Sequence, residues 1–86
     1  MIPVIDTPTA WTHANTPLLC AAEREASLRG FDLRELMGAG KGPDHIARGR
    51  HGTWAALRDH GFSFPEIADL FGVHHSAVMY GVRRAS

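Results

Sequence analysis

The sequence predicts an all-α fold, a small helical domain of about five helices whose last two form a helix-turn-helix. Two observations carry this expectation. No segment alternates apolar and polar residues as a half-buried strand does, whereas apolar residues recur at helical spacing from residue 18 onward. Gly30, Gly38, Gly61 and Gly72 stand where those patterns stop, as helix-ending glycines do.

Residues 1–16 read as a flexible N-terminal tail, and residues 17–86 as the domain. Pro3 and Pro8 interrupt the tail, its four threonines follow no period, and Pro17 comes directly after it. Trp11 is the exception, an aromatic side chain expected to pack back on the domain. The first helix is expected from about Pro17 to Arg29, with Thr16 as cap and Pro17 in the first position. Leu18, Leu19, Ala22, Ala26 and Leu28 supply its apolar side, and Cys20 reads as a small apolar core residue. A short second helix takes Asp32 as N-cap, Leu33 and Leu36-Met37 as anchors, and Gly38 as stop. Residues 38–43, Gly-Ala-Gly-Lys-Gly-Pro, form a flexible connection. Its Gly-x-Gly-Lys string lacks the spacing of a phosphate loop and follows no strand, which argues against nucleotide binding there. A third helix should begin between Pro43 and His51 and run to about His60. Trp54 and Leu57 would face the core, and Gly61 would end it.

The most informative stretch is 63–84. Ser63 and Glu66 have capping-box spacing, and Pro65 is tolerated only in a helix's first turn. Ile67, Leu70 and Phe71 then form one apolar stripe, and Gly72 stops the helix. A second helix begins near His74. Val78 and Val82 lie on its buried face, while His75, Ser76, Tyr80 and Arg83 point elsewhere. Helix, glycine turn, helix is the pattern whose second helix enters the DNA major groove, although the shape alone also occurs in domains that bind no DNA.

Composition narrows the classes. The hydrophobic share is 44 %, that of an ordinary globular domain, and no apolar run approaches a membrane span. The first residues, Met-Ile-Pro-Val-Ile, lack the basic start and long apolar region of a signal peptide. The single Cys20 cannot form an internal disulfide, so a reducing cytoplasmic location is expected. Net charge is zero, but unevenly distributed. Residues 1–40 hold three arginines against five carboxylates, and residues 41–86 six cations against four. Five of the six histidines lie in the second half. The cations gather in one basic loop, Ile-Ala-Arg-Gly-Arg-His over 46–51, and at the end of the last helix, as a local phosphate footprint would. No His pair has the i, i+4 spacing of a helical zinc site, and no metal or cofactor is expected. No paired carboxylates or oxyanion loop accompany Ser76 and His75, so an enzyme is not expected.

The string Ser-Phe-Pro-Glu-Ile, then Phe-Gly, then His-His-Ser-Ala-Val, then Arg-Arg resembles the C-terminal DNA-binding domain (domain IV) of the bacterial replication initiator DnaA. That family reads Ser-Leu-Pro-Glu-Ile, Phe-Gly and Asp-His-(Ser/Thr)-Thr-Val before a basic helix end. Its upstream segment, about Val-Ala-Arg-Pro-Arg-Gln, parallels residues 46–51, and its short Asp-Leu-Leu helix resembles Asp32-Leu33-Arg34-Glu35-Leu36-Met37. The resemblance covers about residues 18–84, with no room for the initiator's ATPase or helicase-loading parts. It implies a stand-alone module of the DnaA domain IV or Trp-repressor-like type, in a bacterial or bacteriophage setting.

The resemblance implies roles residue by residue. Arg50 would probe the minor groove, with Arg48 on phosphate and His51 beside it. Ser63 and Pro65 would lie against the phosphate backbone. His74, His75, Ser76 and Ala77 would read bases, supported electrostatically by Arg83 and Arg84. Two departures bear on specificity. His74 stands where the family has an Asp that caps the helix and accepts from cytosine, and Ala77 lacks the family's threonine hydroxyl. At roughly 1–3 kcal/mol of discrimination per good base contact, the two changes redirect or abolish preference for the initiator's own box. The expected function is therefore sequence-specific binding of double-stranded DNA as a monomer or weak dimer. It would regulate replication initiation or transcription, with replication or transcription proteins as further partners. Two alternatives differ in kind: an interaction adaptor that keeps the fold without DNA affinity, and a nonspecific nucleoid binder with a salt slope but no sequence preference.

Overall fold

The computed structural model describes residues 16–37 and 44–85. Trp11, Gly38 and the connection containing Lys41 lie outside these residues. Five α-helices follow in order: α1 Thr16–Leu28, α2 Leu33–Leu36, α3 Asp44–Asp59, α4 Phe64–Phe71 and α5 His75–Ala85. The all-α expectation holds, and the helix boundaries follow local signals. Asp32 caps α2 in a reciprocal box with Glu35, and Ser63 caps α4 in the same way with Glu66. Gly30, Gly61 and Gly72 leave α1, α3 and α4 with φ of 86°, 104° and 70°, a left-handed backbone that disfavours any other side chain.

The central element is α3, which packs against each of the other four helices. Its core side is Gly49, Thr53, Trp54 and Leu57, all buried. Leu18, Ala22 and Ala26 of α1, Leu33 and Leu36 of α2, Ile67, Leu70 and Phe71 of α4, and Val78 of α5 complete one core. The Trp54 and Phe71 rings meet edge to face at 5.7 Å, joining α3 to α4. Two glycines let helices approach more closely than a side chain allows. A Cβ on Gly81 would lie 2.5 Å from Trp54 Cε3 and 2.7 Å from His51 Cδ2, and one on Gly49 would run into the Phe31 ring. This packing outweighs the roughly 1 kcal/mol by which Gly disfavours a helix interior relative to Ala.

Four expectations are corrected. The basic loop over 46–51 is not a loop, because α3 starts at Asp44 and carries all six residues. Gly49 looked like a loop residue, yet its missing side chain is what seats Phe31. Cys20 is exposed rather than in the core. Leu28 is 72 % exposed, because the last turn of α1 runs past the core. Val82 is half-buried, and Gly81 holds the buried position beside Val78.

Candidate nucleic-acid interface

The helix-turn-helix is built from fully specified ends. Ser63 Oγ accepts from Glu66 N–H at 3.2 Å, and Glu66 Oε1 accepts from Ser63 N–H at 2.8 Å. Pro65 is exposed in the first turn of α4. Arg58, which the sequence reading did not single out, lies against this start. Its guanidinium stacks 4.3 Å from the Phe64 ring centre, and Nη1 donates to Phe62 O at 2.9 Å. At the other end of α4, Gly72 N–H reaches Asp69 O and Val73 N–H reaches Ala68 O at 3.0 Å, the bond pattern of a Schellman stop.

His74 starts α5 with its ring. Ser76 N–H donates to His74 Nδ1 at 3.1 Å, and Ser76 Oγ lies 2.8 Å from the same nitrogen. A neutral imidazole protonated on Nε2 can therefore do the accepting that the expected aspartate would have done. The His75 ring lies 4.3 Å from that of His74. The exposed half of α5 carries two rows at i, i+4 spacing: His75, Met79 and Arg83, and Ser76, Tyr80 and Arg84. Ala77 is half-buried beside them. Met79, 37 % exposed, and Tyr80, 56 % exposed, occupy the middle of this face. The sequence reading assigned neither to the site. The signal was present, since both continue the helical spacing of His75 and Ser76.

Arg48 and Arg50, both in the first half of α3, part company. Two positions apart on a helix, they point to opposite sides. Arg50 is half-buried, and its Nε donates to Leu36 O at 2.8 Å, satisfying a carbonyl at the end of α2. In the free protein this bond makes it a strut between α2 and α3. Arg48 points the other way, 77 % exposed, and among the described residues it pairs with Asp44 at 3.8 Å. An exposed pair of this kind contributes about 0.3–0.5 kcal/mol. Arg48, His51, Gly52, Arg84 and Ala85 line a cleft of about 380 Å³ between α3 and the end of α5. The His51 ring is half-buried, 5.7 Å from Trp54 and edge-on to Tyr80 at 6.1 Å. Burial, then the charges of Arg50 and Arg84, lower its pKa from 6.5. This favours the neutral ring, which carries one N–H to donate.

The structure therefore joins Arg48, His51 and Arg84 in one cleft and His74, His75 and Ser76 at the opposite end of the same helix, α5. It ties Arg50 into the scaffold. Among the described residues, no three His, Cys, Asp or Glu side chains gather as a metal site, and no helix is long and apolar enough to cross a membrane. Comparison with family models, curated proteins and solved structures gives no match, so the resemblance to the initiator domain rests on the motif residues themselves.

Proposed function

We propose that the protein binds double-stranded DNA sequence-specifically through its helix-turn-helix and thereby regulates replication initiation or transcription. The observation that carries this reading is the exposed half of α5. It presents His75, Ser76, Met79, Tyr80, Arg83 and Arg84 on one solvent face behind a glycine turn, with no carboxylate among them. Imidazole and hydroxyl groups exchange hydrogen bonds with base edges in the major groove, and the Met79 side chain is apolar enough to meet a thymine methyl. Arg48 and Arg84 contact phosphate, and Ser63 and Pro65 lie against the backbone at the start of α4. The motif resemblance supports the same face. In the free protein Arg50 supports α3. The reading implies a cytoplasmic, nucleoid-associated protein acting as a monomer or weak dimer.

The exposed Met79 and Tyr80 also favour a second reading, an adaptor whose α5 face binds a replication or transcription protein. Fluorescence anisotropy separates the two. Labelled duplexes carrying the initiator box, a scrambled box and the DNA flanking its own gene would be titrated at two salt concentrations. Salt-sensitive binding that prefers one duplex is expected. Binding to none at low salt would leave the adaptor.

A further inference from the structure

Two surface depressions of similar size flank α3, and their linings differ in charge. One, about 390 Å³, is lined by Glu25, Ala56, Asp59 and His60, and its two carboxylates repel an anion. The other, about 380 Å³, is lined by Arg48, His51, Gly52, Arg84 and Ala85, with no carboxylate side chain among these described residues.

The geometry points to the second cleft as a seat for one phosphate of the duplex backbone, held between Arg48 and Arg84 over the His51 ring. This rests on the duplex-binding reading and adds to it a specific place for a phosphodiester. The two guanidiniums come from different helices, so the seat exists only when α3 and α5 are docked. Gly81 is what permits that docking, by letting Trp54 and His51 lie directly against the α5 backbone. The His51 ring is fixed from two sides, by Trp54 beneath and Tyr80 at its edge. Favoured in its neutral form by burial and by the neighbouring arginines, it adds an N–H donor without a third charge to desolvate. Asp44 is the nearest competitor, and it is 92 % exposed at 3.8 Å from Arg48, so a phosphate displaces it readily. The Arg84 guanidinium lies 5.8 Å from the Tyr80 ring centre, which orients it along the cleft.

The test compares two double variants of the full chain, Arg48→Ala/Arg84→Ala and Arg24→Ala/Arg34→Ala. Both remove two positive charges, but the second removes them from exposed positions on α1 and α2, away from the cleft. Each is titrated with the preferred duplex across a salt series, and the His51 ring protons are followed by NMR. One neutralised phosphate contributes about 0.9 to the slope of log K against log salt. The cleft variant is expected to flatten the slope by about that amount, with the control close to wild type. Duplex binding should also shift the His51 ring signals and raise the pKa of the ring in the wild type. Equal slopes in the two variants, with unmoved His51 signals, would overturn the seat while leaving DNA binding in place. Titration with inorganic phosphate needs no duplex and separates the other case. Phosphate moving His51 and the Gly52 and Ala85 amides in a protein that binds no duplex would keep an anion seat and refute the DNA reading. Absence of response to either ligand would refute both.

Discussion

The two ends of α3 lie in opposite electrostatic surroundings. Near its C-terminal end, charges are matched inside the chain. Glu25 of α1 accepts from Arg29 at 3.0 Å and pairs with His60 at 2.9 Å, so one carboxylate ties α1 to the residue that follows α3. The bond from His60, then that from Arg29, lowers the Glu25 pKa below 4.5. In its N-terminal half, Arg48 meets Arg84 across a cleft lined, among the described residues, by no carboxylate side chain, and Arg48 makes a loose ion pair with Asp44. Charge matched in-chain adds to folding stability. Charge left unmatched on a docked pair of helices adds little to folding and remains available to an anionic ligand.

Three substitutions break or sharpen this contrast. The largest effect is expected from Gly81→Leu. Its side chain would have to displace Trp54 and His51, and overpacking of this kind costs about 1–3 kcal/mol. For a domain of this size, each kcal/mol lowers Tm by about 4–8 °C in a thermal melt. Duplex affinity should fall with it, because the cleft depends on the same docking. Survival of full affinity in Gly81→Leu would separate the cleft from the binding face.

Next is Glu25→Gln, which loosens the matched end by about 0.5 kcal/mol. Its signature is in the pH dependence. A carboxylate whose folded pKa is lowered stabilises the fold above 4.5, and that contribution is lost as pH falls through the folded value. The variant should therefore lose less Tm than the wild type on acidification below about pH 5. His51 acts with the same sign at higher pH. Its lowered folded pKa means that its contribution is full above 6.5 and declines below it in both proteins.

The smallest effect on stability is expected from Arg48→Ala, within about 0.5 kcal/mol of wild type by denaturant unfolding. Its effect should appear instead as weaker duplex binding at low salt. A stability loss well beyond about 0.5 kcal/mol would mean that the open end contributes to the fold after all.

Much of the architecture was legible before any tertiary contact was considered. The capping boxes at Asp32 and Ser63, the stops at Gly30, Gly61 and Gly72, and the core positions Trp54, Leu57, Ile67, Leu70 and Phe71 follow from residues within a turn of one another. The candidate face was partly legible. His75, Ser76, Arg83 and Arg84 were identifiable from the second helix of the motif; Tyr80 was placed off the buried face but given no role, and Met79 was not considered. The loop over 46–51 was misread because Gly49 between two arginines carries the local signal of a turn.

The sequence alone determined where helices begin and end, because a cap or a left-handed glycine depends on neighbours three or four positions away. The tertiary structure decided which side of each helix does what. Arg48 and Arg50 have the same chemistry, and only the packing of α2 and α5 on opposite flanks of α3 makes one a cleft residue and the other a strut. Only the close approaches at Gly49 and Gly81 fix those flanks, since the contacts they allow join residues distant in the chain: Gly49 to Phe31, and Gly81 to His51 and Trp54.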